Sequence, residues 1–127
     1  MRSADTNVLV RLVAQDDPSQ TRIAKAFVQG GVWVSHIALT ECVWVLRSAF
    51  RFDPSRVANA VEWLLAHDSL SFQEPTIVIA ALKLFQKRPS LGFTDCMMLE
   101  TARHAGHLPF GTFDRDLAKM DGAEILS

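Results

Sequence analysis

The chain has 127 residues, 49% hydrophobic and 21% charged, with 13 basic and 14 acidic side chains and a formal net charge of -1. That length suits one domain with a real core, and the composition is that of an ordinary globular protein. The charge balance excludes nucleic-acid binding driven by bulk counterion release, which calls for a strongly basic chain.

No apolar run is long enough to span a bilayer and no signal-like segment opens "MRSADTN", so a cytoplasmic protein without a membrane partner is expected. Cys42 and Cys96 each lie inside an apolar run and belong to no Cys-x-x-Cys pair. They read as buried, reduced and structural.

In chain order, short β-like stretches alternate with longer helical ones. Arg2 to Ala4 reads as a strand and Asn7 to Val13 as first helical turns. "DPSQTRIAKAFVQGG" predicts a helix with Pro18 near its start and Gly30-Gly31 as its stop. Its Ile23, Ala26 and Phe27 keep the i, i+3, i+4 spacing of a buried face. "VWVSH", residues 32 to 36, is a compact strand, whereas "IALTECVWVLRSAF" is apolar nearly all round and too long for one. It predicts a buried helix.

Pro54 to His67 is the next helix, with Val57, Val61, Leu64 and Leu65 on one stripe. "LSFQE" is a short strand, Pro75 to about Lys87 a helix, and "KRPSLGF" a loop punctuated by Pro and Gly. "TDCMMLETARHAG" is a helix closed by Gly106, which suits a left-handed cap. "HLPFGTF" is strand-like, "DRDLAKM" a short helix and "AEIL" a last strand. Such alternation predicts an α/β fold: a three-layer α/β/α sandwich with a mainly parallel sheet of four to five strands. No linker or repeat divides the chain, so residues 1–127 are expected to form a single domain.

Most acids have ordinary explanations. Glu100 has Arg103 and His104 at i+3 and i+4, and Asp16, Asp17, Asp53 and Asp68 sit at helix flanks or turns. Glu41 differs: its helical neighbours Ile37, Ala38, Trp44 and Val45 are all apolar. A carboxylate on such a face is expected to be desolvated and to need a partner. Asp95 has Met98 and Leu99 at i+3 and i+4, though it also opens its helix, where capping would explain it. Asp5 and Asp114 stand where a predicted strand ends and a helix begins, and Asp116 follows in "TFDRD". In an open α/β sheet such strand ends face one ligand crevice. Acids gathered there repel one another unless a cation lies among them, and oxygen ligands without Cys or His favour magnesium or manganese.

Four segments in series, "ADTNVLVRLV", "LTECVWVLR", "FTDCMMLETARHAG" and "GTFDRDLAK", resemble the PIN-domain ribonucleases, most closely the VapC-type toxins of VapBC toxin–antitoxin pairs. The likeness runs nearly end to end and implies one PIN-like domain over residues 1–127. It implies that Asp5 and Asp95 are the main direct ligands of Mg2+ (or Mn2+), with Glu41 and Asp114 completing the catalytic set. Asp116 matches a less regular fifth acid, and Thr112, Thr6 and Asn7 resemble polar residues that support the cluster.

The implied reaction is metal-dependent endonucleolytic cleavage of single-stranded or loop RNA by water, without the ribose 2′-hydroxyl as nucleophile. The implied partners are the RNA substrate, a cognate antitoxin protein and a second copy in a homodimer, with a higher assembly when antitoxin is bound. Trp44, Phe50, Phe52 and Trp63, on or beside two consecutive helices, are read first as core and alternatively as that partner surface. Arg11, Arg47, Arg51 and Arg115 are candidate phosphate contacts. The rival reading is a non-catalytic or signalling α/β module holding magnesium in an acidic pocket. A receiver-like version needs a Lys at a late strand end, where this chain has "TFDRD".

Overall fold

Seven elements make up the first part of the chain: β1 (Arg2–Ser3), α1 (Thr6–Ala14), α2 (Pro18–Val28), β2 (Val32–Val34), α3 (His36–Ser48), α4 (Pro54–Ala66) and β3 (Leu70–Phe72). The computed structural model describes residues 1–127 and divides into two compact units, Met1–Pro75 and Thr76–Ser127. In the first unit β1, β2 and β3 form a parallel sheet in that order, with Arg2 beside Val32 and Val32 beside Leu70. Helix α1 packs on α2 and α3, and α4 packs on α3 and β3.

Local chemistry starts each helix. Asp5, Asp17, Ser35 and Asp53 cap α1 to α4, each side chain accepting a backbone N–H of the first turn. Pro18 and Pro54 follow two of these caps, where their fixed φ suits a first helical turn. Leu9, Leu12, Leu39, Leu46, Val61 and Leu64 are fully buried and knit the helices together. Burial of each such side chain contributes about 1.5–3 kcal/mol.

The second unit holds most of α5 (Pro75–Lys87), α6 (Phe93–Ala105), β4 (Phe110–Thr112) and β5 (Ala123–Ile125). Phe85 of α5 meets Phe93 of α6 edge to face, with ring centroids 6.0 Å apart. β4 and β5 pair in parallel, Phe110 beside Ala123. Gly106 ends α6 at φ 80°, the left-handed cap expected there. Arg103 ties the unit together: its Nε donates to Glu100 at 2.9 Å and its Nη2 to the Asp121 carbonyl at 2.6 Å.

The fold class is the expected α/β one, with every strand parallel and hydrogen bonding grouping the five strands as three and two. Both cysteines are buried and free, and burial pushes each thiol up to about 12. Three local expectations are corrected. The buried face of α2 is Thr21, Ala24 and Val28, rotated from Ile23, Ala26 and Phe27, and Ile23 is 65% exposed. Helix α3 is buried on one side only, for Ile37 and Trp44 are 75% and 64% exposed. The short helix "DRDLAKM" reduces to a 3-10 turn, Leu117–Lys119. Apolar residues favour burial without requiring it, so spacing alone cannot orient a helix carrying more apolar residues than one face needs.

Candidate functional site

Thr6 N–H donates to Asp5 Oδ1 at 2.7 Å, which holds the Asp5 carboxylate at the exposed start of α1. Its place directly after β1 follows from the sequence, because an apolar helix must begin there and Asp is a favoured cap. Asn7 is exposed and Thr6 half-buried on the first turn. Arg11 is not free for phosphate: its Nη1 donates to Asp16 at 2.8 Å and its Nε to Gln20 at 2.6 Å. That arrangement joins α1 to α2 across a loop, which no periodic spacing discloses.

Glu41 lies on α3 in the same unit and is exposed. The expected desolvation is absent because Ile37 and Trp44, one turn either side, are themselves in solvent. Arg47 Nη1 donates to the Phe52 carbonyl at 3.3 Å, which fastens the turn after α3, and Arg51 and Arg115 are exposed.

In the second unit Asp95 is half-buried in the first turn of α6. The helix starts at Phe93 with Gly92 at the cap position, so Asp95 is not the cap. Burial raises its carboxyl above the ordinary value, and the nearby charge of Asp114 raises it further. Asp114 Oδ1 accepts the backbone N–H groups of Asp116 at 2.8 Å and Leu117 at 3.0 Å, while its own N–H donates to Thr112 Oγ1 at 3.0 Å. Thr112 therefore fixes the backbone that carries Asp114, and Asp116 faces Lys119 at 3.8 Å.

Among the sequence-derived acids, then, Asp95 and Asp114 are electrostatic neighbours, and Asp5 and Glu41 belong to the other unit. No group of three or more His, Cys, Asp or Glu side chains is gathered so as to hold a metal ion. The donor chemistry nevertheless fits a hard divalent cation: Asp95 and Asp114 supply carboxylate oxygens whose mutual repulsion a cation offsets.

The PIN-domain family model matches residues 4–123. The chain belongs to the PIN-domain family. Searches of curated proteins and of solved structures found no match. PIN domains are generally nucleases that act on RNA and typically use divalent metal ions, which places this PIN domain among nucleases at the family level. No helix is long and apolar enough to cross a membrane.

Proposed function

We propose that this PIN domain is a Mg2+- or Mn2+-dependent endoribonuclease that cleaves single-stranded or loop RNA in the cytoplasm as the toxin of a toxin–antitoxin pair. The observation that carries the reading is the half-buried Asp95, its carboxyl held up by burial and by Asp114, in a chain matching the nuclease family over 4–123. A carboxyl raised in this way is unfavourable for a fold and useful for a cation.

In this reading Asp5 and Asp95 are direct metal ligands, and Glu41 and Asp114 complete the set. When bound, the cation neutralises charge on the scissile phosphodiester and makes water a better nucleophile. Asp114 is oriented by the backbone of its own turn and by Thr112. Thr6 N–H holds Asp5, and Asn7 and Asp116 are supporting residues.

The exposed Ile37 and Trp44 on α3, and Trp63 on α4, support a protein-contact surface, proposed to serve a homodimer and a cognate antitoxin. The deciding experiment is cleavage of a single-stranded RNA by the purified protein with and without EDTA, beside Asp95→Asn. Activity is expected only with magnesium or manganese and only in the parent chain. Full-rate cleavage by Asp95→Asn, or after exhaustive chelation, overturns the reading.

A further inference from the structure

Between α1 and α2 lies a hollow of about 470 Å3, within the size range of small-molecule sites. Val8, Ile23 and Phe27 give it an apolar wall, and Asp5, Asn7 and Gln20 give it a polar edge. All belong to the first unit. Ile23 is 65% exposed, the same residue that the periodicity of α2 assigns to the core.

Arg2 anchors one part of the wall. The guanidinium carbon of Arg2 sits 4.1 Å from the centroid of the Phe27 ring, and Arg2 Nη2 donates to the Phe27 carbonyl at 2.8 Å. One ring face is thus covered and the aromatic group is held in place. At the edge, the Asn7 side-chain amide has no hydrogen-bond partner and offers one donor and one acceptor side.

Charge narrows the occupant. Two cations bear on the hollow and both are engaged: Arg11 in the lining is taken by Asp16 and Gln20, and Arg2 is taken by the ring and carbonyl of Phe27. Asp5 adds a negative charge at the rim. With both guanidiniums engaged and Asp5 at the rim, an anion finds no free cation, and a neutral, flat group with a hydrogen-bonding edge is favoured. Unstacked bases of single-stranded RNA have that description and are recognised by stacking and by their edges. An amide side chain matches the N6/N7 edge of adenine, whereas guanine is matched by a free guanidinium or ammonium, which this hollow lacks.

We propose that the hollow beside Asp5 is a nucleobase subsite that takes one unstacked adenine of the RNA strand next to the cleaved phosphate. The proposal rests on the nuclease reading, since Asp5 is a rim residue here and a metal ligand there.

The test is cleavage of a randomised single-stranded RNA pool, with cut ends sequenced, by the parent chain, Ile23→Glu and Asn7→Asp. The parent is expected to enrich adenine about tenfold at one fixed position within two nucleotides of the cut, the size of one good contact to a base edge. Ile23→Glu is expected to remove that enrichment and raise KM about tenfold, with kcat within about twofold, since the wall binds the base and does not touch the phosphate. In the cleavage that Asn7→Asp retains, the preferred base is expected to shift from adenine to cytosine, whose amino group a carboxylate accepts.

An unchanged base profile in both variants, with cleavage still metal-dependent, overturns the subsite and leaves the nuclease reading standing. A change confined to the mass of Ile23→Glu in solution assigns the hollow to a second copy and also overturns it. Absence of any parent cleavage that Asp95→Asn removes overturns the nuclease reading and the subsite together.

Discussion

Asp5 has two separable duties. Its side chain caps α1 through the Thr6 N–H, and its charge is proposed to hold a metal. Asn caps as well as Asp, so Asp5→Asn is expected to keep its melting temperature within about 2 °C and lose RNA cleavage. Asp5→Ala loses the cap too and is expected to cost about 1 kcal/mol more in a denaturant titration.

Asp95 carries the opposite kind of signal, a penalty inside the fold. Its folded carboxyl titrates above the ordinary 3.8, first through burial and then through Asp114. A carboxyl raised on folding favours the folded state while protonated, and that contribution is lost as pH rises through the folded value. In metal-free protein, melting temperature is therefore expected to fall between about pH 4 and pH 7 relative to Asp95→Asn. The difference is roughly 1–3 °C, small because the group is half in solvent. Parallel melting curves for the two proteins flatten to no difference if Asp95 is not strained. Glu41 shows where residue-scale reading fails: its neighbours are apolar, yet two of them, Ile37 and Trp44, stand in solvent beside it.

At the scale of elements, caps and stops were legible because they are local. Asp17 before Pro18, Asp53 before Pro54 and Gly106 after α6 act as the sequence indicates. Faces were less legible. Helix α3 buries Leu39, Cys42, Val43 and Leu46 and leaves Ile37 and Trp44 outside, although all six are apolar. Stability should divide along that line. Leu46→Ala is expected to cost about 2–5 kcal/mol. Trp44→Ser is expected to change unfolding free energy by less than about 0.5 kcal/mol. Equal costs in urea unfolding would mean that Trp44 is packed rather than presented. The same ambiguity displaced the buried face of α2 and so hid the hollow beside Asp5, whose wall includes Ile23.

For the whole molecule, near-neutral charge and family membership have to be reconciled. A chain with net charge -1 cannot hold RNA by bulk attraction, so phosphate affinity must be supplied locally. A divalent cation among the proposed acids supplies it and also relieves Asp95. Magnesium or manganese at about a hundred times its dissociation constant is accordingly expected to stabilise the fold by about 2.7 kcal/mol. Calorimetry should register this as a rise in melting temperature that Asp95→Asn does not show. An equal rise in Asp95→Asn would move the cation elsewhere.

The sequence by itself determined what depends on neighbours a few residues away. Alternating strand and helix signals, helix caps, the glycine stop of α6 and two cysteines in apolar runs all specify local conformation or transfer free energy. The ordered series of motifs was enough to mark the PIN family. Tertiary structure alone decided which apolar side chains stay in water, that Arg11 is held by Asp16 and Gln20, and that Asp95 feels Asp114. These depend on how separate elements and the loops between them fold against one another, and periodicity within one element carries no information about that.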